Sequence, residues 1–217
     1  KMTNQTIEPR FIAVEGAIGA GKTSLVNLFE KKYGARVILE ENDSNPFIAK
    51  FYEDRETHSF QTQIFFLLSR YNQYTELAQR DLFNSVVVID YLFQRDKIFA
   101  QLNLEDHELH LYNQIFNLIS LKAPKPDLVI FLQASTEVLL ERVSKRNRDY
   151  EAFMDPDYLD SVNKAFNNFF FYYSDTPLLV INTNEIDFVE KKCDLEELIN
   201  KVNSHKIGRE YYNPLGS

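Results

Sequence analysis

An α/β fold, a parallel sheet with helices on both faces, is what this sequence predicts, on three observations. Five short apolar runs, at 11–14, 36–39, 86–89, 127–132 and 178–181, alternate with stretches of helical periodicity. Of only six glycines in the chain, Gly16, Gly19 and Gly21 fall directly after the first run. With 217 residues, 44% hydrophobic and 26% charged, there is material for one substantial core and one domain, 1–217.

Residues 11–14, Phe-Ile-Ala-Val, read as a buried first strand ending at the glycines. From Lys22 the pattern turns helical, with Leu25, Leu28 and Phe29 on one face, and it stops near Gly34. A second strand, 36–39, runs into the acidic, turn-rich stretch from Glu40 to Pro46. Residues 47–52 predict a short helix. A long one follows over 56–83, its face marked by Phe60, Ile64, Leu67, Leu68, Tyr71 and Leu77. The strand 86–89 closes on the carboxylate of Asp90. Helices are expected at 96–102 and 107–121, a strand at 127–132, and a helix at 136–146 ending in a basic run. An aromatic-rich helix at 158–173, a strand at 178–181 and a last helix at 187–203 precede a polar tail, about 205–217.

Residues 16–23, Gly-Ala-Ile-Gly-Ala-Gly-Lys-Thr, match the phosphate-loop pattern G-x-x-x-x-G-K-[ST] in full, between a strand and a helix. Glycines let backbone N–H groups close around phosphate oxygens without a Cβ in the way. The start of the following helix points its positive end at the same anion. The loop therefore predicts nucleotide contacts from Gly16, Ala17, Ile18, Gly19, Ala20, Gly21, Lys22, Thr23 and Ser24. Lys22 supplies a point charge for the β- and γ-phosphates, and Thr23 a hydroxyl for Mg²⁺. The plainer reading, a glycine-rich turn with a chance Lys-Thr, is unattractive in a chain so poor in glycine. The fold class becomes a five-stranded P-loop sheet binding ATP and Mg²⁺.

Other classes are excluded by composition. A net charge of −8 and a pI near 5.1 argue against a nucleic-acid polymer as partner. No apolar run reaches the roughly 18–20 residues of a membrane span, and residues 1–10 lack the apolar stretch of a signal peptide. A single cysteine, Cys193, excludes an internal disulfide and makes a reducing cytoplasm the default. The four histidines form no metal-ligand spacing. With no guanine-reading Asn-Lys-x-Asp and a length short for a motor, a kinase for a small acceptor is favoured.

From Phe11 to Tyr173 the chain resembles the deoxyribonucleoside kinase family, which contains deoxycytidine, deoxyguanosine and deoxyadenosine kinases. Besides the loop, the resemblance rests on Glu40-Glu41 after strand two, Tyr52, Ser59-Phe-Gln-Thr-Gln63, Leu68-Ser-Arg70 and Asp90. It also rests on Arg142-x-x-x-Arg146-x-Arg148 followed by Asp149-Tyr-Glu151. That last piece is similar to the family's arginine-rich lid, here about 142–151, with Arg142, Arg146 and Arg148 on the ATP phosphates. The resemblance implies transfer of a phosphoryl group from ATP to the 5′-hydroxyl of a deoxynucleoside, with a weak lean to purines. It further implies a general base at Glu41 or Glu40, with Glu41 preferred, base contacts from Gln63, Arg70 and Asp96, and a sugar 3′-hydroxyl held by Tyr52 and Glu151. Phe47 and Phe60 are the expected walls, and Asp90 suits a Mg²⁺-bound water. Where the family commonly has Asp/Glu-Arg-Ser, this chain reads Asp90-Tyr91-Leu92, similar to a bacterial subgroup; Arg70, Arg95 or Lys97 are candidates to replace the missing arginine.

Bland readings stand beside these. Glu40-Glu41 could be solvated charge at a strand end, and Arg142 and Arg146, like charges at i,i+4, a solvated helix face. The aromatic run from Phe166 to Tyr173 suits packing, and two long aromatic helices suit a homodimer. The alternatives to a deoxynucleoside kinase are a nucleoside-monophosphate kinase of thymidylate type and a nucleotide-binding regulatory module without turnover.

Overall fold

Apolar runs without polar alternation belong in strands covered on both faces, and the sheet is built that way. In the computed structural model, residues 7–41, 44–79, 86–120, 123–146, 151, 154–185 and 192–213 are described. The strands are β1 (Phe11–Gly16), β2 (Arg36–Ile38), β3 (Val87–Ile89), β4 (Leu128–Gln133), β5 (Leu178–Asn182) and β6 (Arg209–Tyr212). All pairings are parallel, in the order β2-β3-β1-β4-β5-β6, with Ala13 opposite both Ile89 and Val129. Every residue of β1 and β3 is buried.

The helices are α1 (Lys22–Tyr33), α2 (Ile48–Glu53), α3 (Arg55–Gln79), α4 (Arg95–Asn103), α5 (Asp106–Ser120), α6 (Thr136–Arg146), α7 (Pro156–Tyr172) and α8 (Lys192–Ser204). Asp155 caps α7 by accepting the N–H of Asp157 at 3.0 Å, with Pro156 at the first helical position. The aromatic run on this helix is mainly packing, as its periodicity suggests. Phe166 and Phe170 are buried, and Phe170 stacks on Phe131 of β4 with ring centroids 4.3 Å apart. Phe171 and Tyr172 face outward.

One expectation is corrected. Among the described residues the sheet has six strands rather than five, because part of the stretch expected as a polar tail pairs along β5 as β6. An edge strand is held by its backbone and needs no apolar run. The Leu178 N–H donates to Gly208 O at 2.9 Å, and the Arg209 guanidinium donates to Tyr173 O at 2.9 Å. The expected extension of the long helix beyond Gln79 and the beginning of the last helix at Asp187 lie outside the described residues.

Candidate active site

Strand order decides which side chains can meet. Because β3 lies between β2 and β1, the residues leaving the carboxyl ends of these three strands stand side by side. They are Glu40 after β2, Asp90 after β3 and the phosphate loop after β1. A cleft of about 810 Å³ opens over them. Its floor is the loop from Ile18 to Ser24; its walls come from α2, α3, α4 and α6, with Glu151 at the rim.

Gly19 fixes how closely the loop nests against α6. Its φ is +87°, and a Cβ there would fall 2.9 Å from Leu139 O and 3.0 Å from Val143 Cγ2. Gly16 and Ala17 lie beneath the cleft, where their carbonyl oxygens accept from Lys22 Nζ at 2.8 and 3.0 Å. Burial, and then Arg95, lowers the Lys22 ammonium to about 8, against the pull of Glu15, Glu40 and Asp90. Thr23 Oγ1 donates to Asp90 Oδ2 at 3.1 Å, and Asp90 Oδ1 accepts the Glu40 N–H at 2.6 Å. One carboxylate thus joins the phosphate loop to the end of β2. Burial and the neighbouring Glu40 raise Asp90 from its ordinary value. A hydroxyl and a carboxylate beside a phosphate loop are the hard oxygen donors that suit Mg²⁺. Among the described residues no cluster of three or more His, Cys, Asp or Glu is set to hold a metal by itself.

The two adjacent glutamates part company. Glu40 turns into the cleft, its side chain 6% exposed, and is bound by Arg70 through Nε at 3.0 Å and through Nη2. Arg95 Nη1 lies 3.0 Å from its other oxygen. Burial alone would push this carboxyl up, but Arg95 and Arg70 outweigh it and hold it near 2. Glu41 is exposed and outside the cleft. Of the two candidates for the base, the preferred Glu41 lies outside the cleft and its neighbour Glu40 inside it: successive side chains leaving a strand point to opposite sides, and it is Glu40 whose direction meets Asp90 and the arginines.

Gln63, Arg70, Tyr52 and Glu151 line the cleft as expected. Arg146 grips Glu151, with Nε at 3.1 Å and Nη2 closer, while Arg142 donates to Thr183 Oγ1 at 3.2 Å and Thr183 O at 2.5 Å. The like charges at i,i+4 on α6 are thus each met by a separate partner. Arg148 lies outside the described residues.

Three further expectations change. Asp96 is fully buried and does not line the cleft; it bonds Arg70 Nη1 from behind, and burial lifts its carboxyl to about 6 despite that arginine. Its link to the cleft lining runs through Arg70. Phe47 packs its ring against Phe65, centroids 6.5 Å apart, and Phe60 packs on the core, so neither is a wall. The apolar walls are Ile48, Phe51, Phe66 and Phe99. Phe66 could have been read beforehand, since Gln63, Phe66 and Arg70 share one helical face at i, i+3 and i+7.

Of two buried charges at the site, the sequence offered Arg95 only as one of three candidate cations and did not offer Glu15 at all. Arg95, at the first turn of α4, lines the cleft with 5% exposure. Glu15, at the end of β1, is fully buried and accepts the N–H of Gly16 at 3.0 Å and of Leu92 at 2.6 Å, clasping the loop to the turn after β3; burial raises its carboxyl. Tyr91 fills the place after Asp90 as packing: it is buried, donates to Gln73 Oε1 and lies with its ring 5.7 Å from that of Tyr74, tilted by 51°. Of the three candidates for the missing arginine, Lys97 sits 4.4 Å from the Phe116 ring and does not line the cleft. Arg70 is committed to Glu40 and Asp96.

Comparison with known proteins fits this geometry. A family profile described as deoxynucleoside kinase matches residues 12–206. A deoxyguanosine kinase of Bacillus subtilis is 35% identical over 193 residues, 87% of this chain and 93% of that protein. A deoxyadenosine kinase of Dictyostelium discoideum is 31% identical over 217 residues, 94% of this chain and 87% of that protein. A solved deoxyadenosine kinase from M. mycoides with bound dATP superposes with a TM-score of 0.76 at 27% identity, covering 89% of this chain and 98% of that one.

Proposed function

The chain belongs to the deoxynucleoside kinase family, and on that premise we propose that it moves the γ-phosphoryl group of ATP to the 5′-hydroxyl of a purine deoxynucleoside. One observation carries the reading: Asp90 ties Thr23 of the phosphate loop to the backbone of Glu40, so donor site and candidate base are held at fixed separation. The purine lean is supported by the deoxyguanosine and deoxyadenosine kinases among the relatives.

In this reading the ATP phosphates lie in the loop 16–23, with Lys22, Arg142 and Arg146 offsetting charge on the moving group. Thr23 and Asp90 would hold Mg²⁺, which when bound neutralises the β- and γ-phosphates. Gln63 reads the base edge, Phe66 and Phe99 wall the base, and Tyr52 and Glu151 hold the sugar. Glu40, ionised at any working pH, aligns the 5′-hydroxyl as a hydrogen-bond acceptor. A carboxylate so acidic does not remove the proton in advance. It takes the proton as the O–P bond forms, while the bond to the β-phosphate oxygen breaks and its electron pair stays on ADP. A single-domain homodimer in the cytoplasm is part of the same reading, supported by the lone Cys193 and by the exposed Leu111 and Leu118 on α5. No described helix is long and apolar enough to cross a membrane.

The test is Mg·ATP-dependent ADP release against the four deoxynucleosides, their ribose forms and their 5′-monophosphates. Turnover of deoxyguanosine or deoxyadenosine, with monophosphates inert, is expected. Turnover of monophosphates alone would move the acceptor from a hydroxyl to a phosphate and overturn the roles of Tyr52 and Glu151. ATP binding without turnover of any acceptor would leave a regulatory module.

A further inference from the structure

Buried guanidinium groups are almost always saturated with acceptors, because an orphaned N–H loses its water without gaining a partner. Arg70 obeys: its Nε, Nη1 and Nη2 all reach Glu40 or Asp96. Arg95 does not. Its Nε and Nη1 are buried and donate to no acceptor among the described residues, Nη1 lying near Glu40 Oε2 yet out of line for a hydrogen bond. The side chain is nevertheless held in place, with its guanidinium carbon 5.3 Å from the Phe99 ring centre and 5.7 Å from that of Phe166. It lines the same cleft as Glu40 at the acceptor end and Lys22, Thr23 and Asp90 at the phosphate end, with Nη1 3.0 Å from Glu40 Oε2.

We propose that Arg95 is a catalytic residue of this kinase, donating from its unfilled N–H groups to the phosphoryl group as it passes from ATP to the acceptor. The inference rests on the reading of Glu40 and the phosphate loop given above. A planar guanidinium suits this role because its donors are fixed in a fork that matches phosphoryl oxygens, and the charge those oxygens share is largest during transfer. An arginine needed only to balance Glu40 would be replaceable by lysine. An arginine that donates to phosphoryl oxygens would not.

The experiment compares wild type with Arg95→Lys and Arg95→Ala in turnover and in a complex that mimics the transferring group: ADP, aluminium fluoride, Mg²⁺ and deoxyguanosine or deoxyadenosine. In Arg95→Lys, kcat should fall at least ~10²-fold, the scale for losing one preorganised donor, with both KM values within about threefold. The aluminium fluoride complex should weaken by a similar factor while ADP and the deoxynucleoside, each alone, bind within about threefold of wild type. Added guanidinium ion should restore at least about tenfold of the lost turnover to Arg95→Ala but none to wild type. If the alanine variant does not fold, the lysine variant decides alone. Arg95→Lys with wild-type turnover and wild-type affinity for the fluoride complex would overturn the proposal and leave Arg95 as a counter-charge for Glu40. A wild-type protein that binds ADP but neither turns over deoxynucleosides nor forms the fluoride complex would overturn the parent reading, and this one with it.

Discussion

Replacing Glu40 by glutamine separates the two neighbouring glutamates in a single comparison. In the folded chain this carboxyl is held near 2 instead of its ordinary 4.5. The sign follows directly: a depressed folded value stabilises above the unfolded value, and that gain is lost as pH falls from about 4.5 toward 2. A shift of this size amounts to about 3 kcal/mol at neutral pH. A second route gives the same scale, since removing one partner of a buried ion pair costs about 3–5 kcal/mol; here two guanidinium groups would lose their shared carboxylate. Glu40→Gln should therefore lower the free energy of urea unfolding at pH 7 by about 3 kcal/mol. It should also lower kcat at least ~10²-fold, the usual scale for a general base. Glu41→Gln, on an exposed side chain, should stay within about 0.5 kcal/mol of wild type and near its turnover. Both are read from urea titrations and from ADP release under saturating ATP and deoxynucleoside. Near-normal turnover in Glu40→Gln, or a larger loss in Glu41→Gln, would refute the assignment and the geometry behind it.

The phosphate loop and the buried carboxylates give two further expectations. Gly19→Ala must place a Cβ against Leu139 O and Val143 at φ +87°, so it should cost about 1–3 kcal/mol and weaken ATP binding by at least ~10-fold. Gly34→Ala, at φ +63° with open space around it, should cost about 1 kcal/mol and leave ATP affinity unchanged; equal ATP affinities in the two variants by calorimetry would refute the close-packing argument. Asp96, raised from 3.8 to about 6, binds its proton more tightly folded than unfolded, so its contribution to stability grows as pH falls through 6 toward 4, by up to about 3 kcal/mol. The difference in unfolding free energy between wild type and Asp96→Asn should show that slope between pH 7 and 4, and a flat difference would refute it.

What could be read from the chain beforehand was whatever lies within one stretch of sequence. The phosphate loop is contiguous, and its flanking strand and helix are contiguous with it, so Gly16 to Ser24 were placed without any knowledge of packing. The five apolar strands and the helix over Thr136–Arg146 were legible for the same reason. Choosing between Glu40 and Glu41 was different: a one-residue change of phase at the end of β2 reverses which carboxylate enters the cleft, and only the approach of Arg70 and Arg95 fixes that phase. Asp96 shows the converse. Its spacing was right for the site, but α4 turns it behind Arg70, and spacing alone does not say which side of a guanidinium a carboxylate occupies. Arg95 was visible only as one of three cations, because its burial against Phe99 and Phe166 joins α4 to α7, far apart in sequence. β6 was missed because an edge strand carries little apolar signal: Arg209-Glu-Tyr-Tyr212 looks like tail until its partner is known.

That late strand bears on how the chain is handled in practice. Among the described residues β6 pairs with β5 alone, four places along the sheet from β3 and Asp90. Trimming residues from 209 onward would leave the nucleotide and acceptor ends intact. It would also bare the hydrogen-bonding groups along Leu178-Leu-Val-Ile181, an apolar row of the kind that recruits a second chain. Shortened versions would then be lost as aggregate during expression while the surviving fraction still worked at full rate. A loss of yield in such versions would then have a different origin from a loss of chemistry at Asp90 and Glu40, at least four strands away.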